Sequence, residues 1–260
     1  MGRLCAQARE RVRDLRAREH AIREAAERGA PVASLAAGLR AGTDLAVIAE
    51  VKRRSPSKGV LNADLSAAGA ARSYVHGGAR AISVLTEPTE FGGFDDDLSN
   101  VGAAVPVPVL RKDFHVDPLQ LWEARSLGAA AALLIVRALG PDMTLEMSAA
   151  ARDAGIDAVF EVRDEAELEW AVESGAEIIG VNRRNLETLE MADAVIERLL
   201  PLIPASKVAI AESGVRGRED VVAVAGLGAD AVLVGSALSA SAHGAEAVRA
   251  LTGIARRRRA

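Results

Sequence analysis

The sequence predicts an α/β protein: a (β/α)8 TIM barrel with an extra N-terminal helical segment. Three observations carry this. A unit recurs in which an amphipathic stretch ends at a glycine and a short apolar run follows. Eight apolar runs of this kind occur, spaced by roughly 20 to 35 residues, the size of a strand-helix repeat. Hydrophobic residues make up 50% of the chain and aromatics only 3%, so the core must be built from Ala, Val, Leu and Ile. Such a core suits parallel strands buried on both faces beneath Ala-rich helices. The regular spacing leaves no room for a second domain. Residues 1–260 therefore read as a single barrel domain, with 1–45 as a helical extension.

Within the extension, 9–28 reads as one helix bearing charges of both signs and stopping at Gly29-Ala30-Pro31. Pattern alone does not say at which end of the barrel it packs. The strands are expected at 46–50, 81–85, 107–111, 132–136, 158–162, 178–182, 208–212 and 231–235. Gly78, Gly128, Gly155, Gly175 and Gly228 precede five of these runs, where a helix ends in a left-handed cap before the next strand.

Composition narrows the function classes. A net charge of -4 argues against general nucleic-acid binding, and the basic tail 256–259 reads as solvated. The single cysteine, Cys5, excludes an internal disulfide and fits a reducing, cytoplasmic setting. The first residues lack the apolar core of a signal peptide. The apolar stretch 221–242 contains Asp230 and is broken by Gly226, Gly228 and Gly235. It reads as helix, turn and strand, leaving no membrane partner.

The strand ends carry the chemistry. Glu50 and Lys52 lie two residues apart at the end of the first strand, so they share a face. In a barrel they would converge with Lys112, Glu161, Asn182 and Glu212 on one mouth. Such a pocket suits acid–base chemistry, because close charges shift one another's pKa values. Of 32 basic residues only Lys52, Lys58, Lys112 and Lys207 are lysines, and lysine alone offers a titratable ammonium. After the last two strands come Ser213-Gly214 and Gly235-Ser236, where barrels often hold a phosphate on backbone N–H groups. The four histidines are scattered without metal-ligand spacing, and Trp122 and Trp170 read as packing residues.

Taken together, these motifs resemble indole-3-glycerol-phosphate synthase. The resemblance rests on Ile48 to Gly59, Ser83-Val84-Leu85-Thr86 with Phe91-Gly92-Gly93, and Val109-Leu110-Arg111-Lys112-Asp113-Phe114. It continues through Leu133 to Val136, Glu161-Val162, Gly180 to Leu186, Ala211 to Val215 and Gly235-Ser236. It implies a lyase of tryptophan biosynthesis, a carboxy-lyase. The implied reaction closes the ring of 1-(2-carboxyphenylamino)-1-deoxyribulose 5-phosphate, an anionic sugar phosphate, with loss of carbon dioxide and water. No metal or organic cofactor is implied, and the implied state is a monomer. By the same resemblance Lys112 is the general acid, and Glu161 with Lys52 serves dehydration. Glu50, Asn182, Glu212 and Ser55 position the substrate, and Phe91, Phe114 and Leu133 wall its ring. Ser213, Gly214, Gly235 and Ser236 hold the phosphate, and Arg184 steers the anion. The run Phe94-Asp95-Asp96-Asp97 is unusually acidic for such a site and fits the start of a helix. The alternatives are a phosphoribosylanthranilate-type isomerase sharing the phosphate loops, and a non-catalytic phosphate-ligand-binding barrel.

Overall fold

Eight parallel strands close into a barrel in the computed structural model, which describes residues 1–259. They are β1 (Ala46–Val51), β2 (Ala81–Leu85), β3 (Val109–Lys112), β4 (Ala131–Ile135), β5 (Asp157–Val162), β6 (Ile178–Asn182), β7 (Val208–Glu212) and β8 (Ala231–Val234). Every strand pairs with its neighbours in sequence, and β8 returns to β1 with Ala46 opposite Ala231. The largest displacement from the expected strands is at β3, which begins at Val109 rather than at 107. Pro106 and Pro108 have no N–H to give the ladder there. Gly78, Gly128, Gly155, Gly175 and Gly228 all adopt φ between 73° and 102°, the left-handed caps that the repeat requires.

Alternation along the strands divides the apolar residues into two cores. Ala46, Ile48, Leu110, Leu133, Val159, Ile178, Ile210 and Leu233 belong to the cluster inside the barrel. Val47, Ala49, Ile82, Val84, Leu134 and Phe160 belong to the larger cluster beneath the helices. With both faces occupied, side chains past the last interior layer can only emerge at the mouth.

The N-terminal segment differs from the expected single helix. It forms α1 (Gly2–Arg16), α2 (Glu19–Arg28) and α3 (Leu35–Arg40). The break at Ala17 and Arg18 turns the chain so that Leu15 and Ile22 pack with Leu119 and Trp122. The Arg23 guanidinium lies 4.7 Å from the centre of the Trp122 ring. Helix α1 reaches the carboxyl end of the barrel, where Arg11 pairs with Asp113 and Arg16 with Asp117. Helix α3 lies at the opposite end. There Asp157, at the start of β5, accepts hydrogen bonds from Ser34 Oγ at 2.9 Å and Ala36 N at 3.0 Å. The extension thus touches both ends of the barrel.

The basic tail is not simply solvated. Leu45 N donates to Ile254 O and Arg256 N to Thr43 O, laying the tail alongside the entry to β1. Arg256 and Arg259 both reach Asp230, at 3.4 and 2.8 Å, and Arg259 also donates to the carbonyls of Ile203, Gly228 and Lys207. Asp230 and these carbonyls lie on the closed face, so the arginines tie the loops before β7 and β8 together. Among the described residues no helix is long and apolar enough to cross a membrane. The stretch 221–242 holds the end of the helix Arg218–Gly226, β8 and the short helix Ser236–Ser239.

Because Arg259 is mostly buried and charge-paired, Arg259→Ala should lower unfolding free energy by about 2 kcal/mol. Arg258→Ala, at an exposed position, should leave it nearly unchanged, and urea unfolding of the two variants checks the contrast.

Candidate active site

At the carboxyl end of the barrel the strands surround a cavity of about 510 Å³. Side-chain parity explains what lines it. The interior series Ala46, Ile48, Glu50 on β1, continued by Lys52 just beyond it, and Leu110, Lys112 on β3 each pass from apolar to polar at the rim. Val159 to Glu161, Gly180 to Asn182 and Ile210 to Glu212 do the same. The ladders place Glu161 beside Gly180 and Asn182 beside Glu212.

Two ion-paired groups result. Lys52 Nζ lies 2.6 Å from Glu50 Oε1. Lys112 Nζ donates to Glu212 Oε2 at 2.8 Å and to Glu161 Oε2 at 3.4 Å. Burial alone would pull the Lys112 ammonium down, but Glu212, Glu161 and Glu50 together hold its pKa above the ordinary lysine range. It is therefore protonated at neutral pH. Burial pushes Glu212 up to about 7; Lys112 opposes that shift while Glu161 and Glu50 add to it. Three carboxylates facing two ammoniums leave one negative charge in excess, and that excess adds to burial in raising Glu212.

Two glycines make room for these pairs. A Cβ on Gly180 would lie 2.2 Å from Glu212 Oε1. One on Gly235 would lie 2.3 Å from Glu50 Oε1 and 2.8 Å from Lys52 Nζ. Gly235 thus clears space for the Glu50–Lys52 pair, whatever else it does.

Every residue singled out in the sequence lines this cavity. Besides the charged cluster these are Ser55, Phe91, Phe114, Leu133, Arg184, Ser213, Gly214, Gly235 and Ser236. Asn182 Oδ1 accepts from Ser213 Oγ at 2.9 Å and from Arg184 N at 3.0 Å, tying the β6 and β7 loops together. Ser213 and Gly214 both have positive φ, 67° and 75°, which curls the backbone back at this rim. Ser55 ends the first strand of a two-stranded hairpin, Arg54–Ser55 with Gly59–Val60, and its Oγ lies 3.2 Å from Ser57 Oγ. The acidic run turns away from the cavity. Asp95 opens the helix Asp95–Ala104 and pairs with Arg111, while Asp97 pairs with Arg53.

Sequence reasoning missed several lining residues. Arg183 passes beneath Gly214 and pairs with Asp193 at 2.8 Å. Arg216 stands exposed at the rim, Met191 and Leu189 come from the β6 loop, and Leu233 and Ile135 complete the apolar wall. The inward parity of Leu233 and Ile135 was readable; the loop residues carried no periodic signal. Asp113 was noted only as part of a motif. It accepts two hydrogen bonds from Arg11, at 3.0 and 2.7 Å, one from Thr86 Oγ1 at 2.6 Å, and one from Phe114 N. Burial alone would raise its pKa, but Arg11 and Arg111 hold it well below the usual carboxylate range. Among the described residues no three His, Cys, Asp or Glu side chains are grouped to hold a metal ion.

His115 is buried. Its Nδ1 donates to Leu133 O at 2.8 Å, the carbonyl fixing the tautomer, and Nε2 has no partner. Burial, and then the Arg111 charge, lower its pKa to about 4.

Three comparisons bear on identity. The family model described as indole-3-glycerol phosphate synthase matches residues 1–251. "Indole-3-glycerol phosphate synthase 1" of Streptomyces coelicolor is 51% identical over 217 residues, 84% of this chain and 80% of that protein. The indole-3-glycerol phosphate synthase of Mycolicibacterium vanbaalenii is 47% identical over 240 residues, 90% of this chain and 88% of that protein. Among solved structures, 3-hexulose-6-phosphate synthase from Salmonella typhimurium superposes with a TM-score of 0.63 at 18% identity, covering 80% of this chain and 96% of its own. Thiamine phosphate pyrophosphorylase from Pyrococcus furiosus gives a TM-score of 0.59 at 14% identity, covering 84% and 96%. The likeness to these two structures concerns the fold alone.

Two outcomes test the geometry. Gly180→Ala should break the Lys112–Glu212 contact in a crystal structure of the variant and cost about 1–3 kcal/mol of stability by overpacking. His115 is depressed in the folded state, so its contribution is present above the unfolded pKa of 6.5 and lost as pH falls through about 4. Unfolding free energy should therefore fall across that window, and the His115 ring should titrate near its lower end by NMR.

Proposed function

The chain belongs to the indole-3-glycerol phosphate synthase family, and from that premise we propose how its mouth performs the synthase reaction. The substrate is 1-(2-carboxyphenylamino)-1-deoxyribulose 5-phosphate, and the product indole-3-glycerol phosphate forms with loss of carbon dioxide and water. In this reading the enzyme is a carboxy-lyase. The observation that carries it is the buried Lys112 ammonium, held by Glu212 and Glu161 in a cavity that Lys52 and Glu50 also line.

Ring closure requires an aromatic carbon to attack a ketone, and the developing alkoxide needs a proton. Lys112 supplies it. An alkoxide is a stronger base than an amine, so a raised ammonium pKa still leaves the transfer downhill. The protonation of Lys112 at neutral pH, enforced by its carboxylate partners, fits the role. The substrate carboxylate then departs as carbon dioxide. Removal of the hydroxyl as water restores the aromatic system, with Glu161 and Lys52 as the acid–base pair.

The walls suit the same substrate. Phe91, Phe114 and Leu133 offer an apolar face to its ring. Ser213, Gly214, Gly235 and Ser236 form the rim where the phosphate would sit, with the curled Ser213-Gly214 backbone and the start of the helix Ser236–Ser239 supplying N–H groups. Arg184 stands beside Asn182 to meet the anthranilate carboxylate, while Glu50, Glu212 and Ser55 position the hydroxyls.

Lys112→Ala should reduce kcat by about a hundredfold to ten-thousandfold with the fold retained. The test is indole-type fluorescence appearing when the purified protein meets the ribulose phosphate. An unchanged rate in Lys112→Ala would remove the mechanism, and no turnover by the parent protein would favour a binding barrel.

A further inference from the structure

Lys112 is flanked in sequence by two buried charges, Arg111, which does not line the cavity, and Asp113, whose carboxylate is engaged by residues outside it. The Arg111 guanidinium donates to Glu123 at 2.8 Å and to Asp95 at 2.7 Å, fixing one side of the strand end to two neighbouring helices. Asp113, with its side chain fully buried, receives the bidentate Arg11 fork from α1 and lies 3.9 Å from Arg111 on the same face. Thr86, just past β2, touches all three residues. Its backbone N donates to Lys112 O at 3.2 Å, its hydroxyl donates to Asp113 at 2.6 Å, and the same oxygen accepts from Arg111 Nε at 3.2 Å.

Resting on the reading of Lys112 as general acid, we propose that Arg11 and Thr86 are positioning residues that fix the Lys112 backbone and so aim its ammonium between Glu161 and Glu212. Neither touches the cavity. The physical reason is leverage. A lysine has four rotatable side-chain bonds, so a small tilt of the strand end moves Nζ by far more than it moves Cα. Here the tilt is opposed by one connected cluster, in which Glu123 and Asp95 hold Arg111, Arg11 holds Asp113, and Thr86 joins the two. The N-terminal extension, outside the barrel repeat, thereby becomes part of the catalytic geometry. The fork matters as well as the charge. Arg11 places two parallel N–H groups on both Asp113 oxygens, and a lysine ammonium cannot reproduce that.

The test compares Arg11→Ala, Arg11→Lys and Thr86→Val with the parent protein and with Lys112→Met. Displacement by about 1 Å of a group that acts on the transition state costs roughly a hundredfold in rate, so kcat should fall at least about tenfold in each positioning variant. KM should stay within about threefold, since substrate contacts are intact. Arg11→Lys should recover only part of the loss, and millimolar guanidinium should partly rescue Arg11→Ala but not Thr86→Val. Thr86→Val leaves α1 docked through its other contacts and decides the matter should Arg11→Ala fail to fold. Parent-like kcat in folded Thr86→Val and Arg11→Lys, with Lys112→Met inactive, overturns the positioning role and leaves the general acid standing. A Lys112→Met protein at full rate overturns both.

Discussion

The structure depends on one electrostatic constraint: a buried ammonium, Lys112 on β3, must lie between two buried carboxylates contributed by β5 and β7. In water such contacts contribute little, but in a cavity lined by Phe114, Leu133 and Ile135 the charges are strongly coupled and none can leave without exposing another. The coupling sets protonation, with Lys112 held charged and Glu212 held near the point of taking up a proton. One excess carboxylate thus sets a charged ammonium beside a carboxyl near neutrality, without any histidine.

Barrel geometry is what makes the convergence possible. With one interior parity on every strand, the last inward residue of each emerges toward the same axis, and their differing identities become one site. Convergence also requires vacant volume. Gly180 and Gly235 each stand where a methyl group would strike a buried carboxylate of the mouth, so these glycines are selected by the side chains opposite them rather than by backbone conformation. Neither has a positive φ, unlike the helix-capping glycines of the repeat.

This distinction explains what could be read from the sequence. Strand positions, the capping glycines and the convergent strand ends were legible because each follows from local periodicity or from the parity of two residues. The break between α1 and α2 was not, since the chain turns there to satisfy Trp122 and Leu119, about a hundred residues away. The docking of Arg256 and Arg259 on Asp230 was likewise hidden. A run of arginines looks solvated until the carbonyls of Ile203, Gly228 and Lys207 are seen to gather beneath it. Asp113 lay in plain view within a motif, but its partner Arg11 precedes it by 102 residues, and no spacing rule links them.

The extension and the tail act at opposite ends of the barrel for related reasons. A closed parallel barrel leaves polar strand ends exposed at both faces, and the two faces have different requirements. The face at which the strands begin can be sealed outright, and here it is: α3 caps Asp157, and Arg259 gathers three carbonyls and a carboxylate. The mouth must stay open for substrate, so rigidity there has to come from the side. Helix α1 supplies it by crossing beside β3 and gripping Asp113 from outside the cavity, where a charge can be paired without occupying space that the substrate needs. A buried ion pair is a poor way to gain net stability, because desolvation offsets most of its attraction. Its use at this point is better understood as directional. A bidentate guanidinium fixes orientation as well as distance, and orientation is what a long, flexible lysine cannot provide for itself.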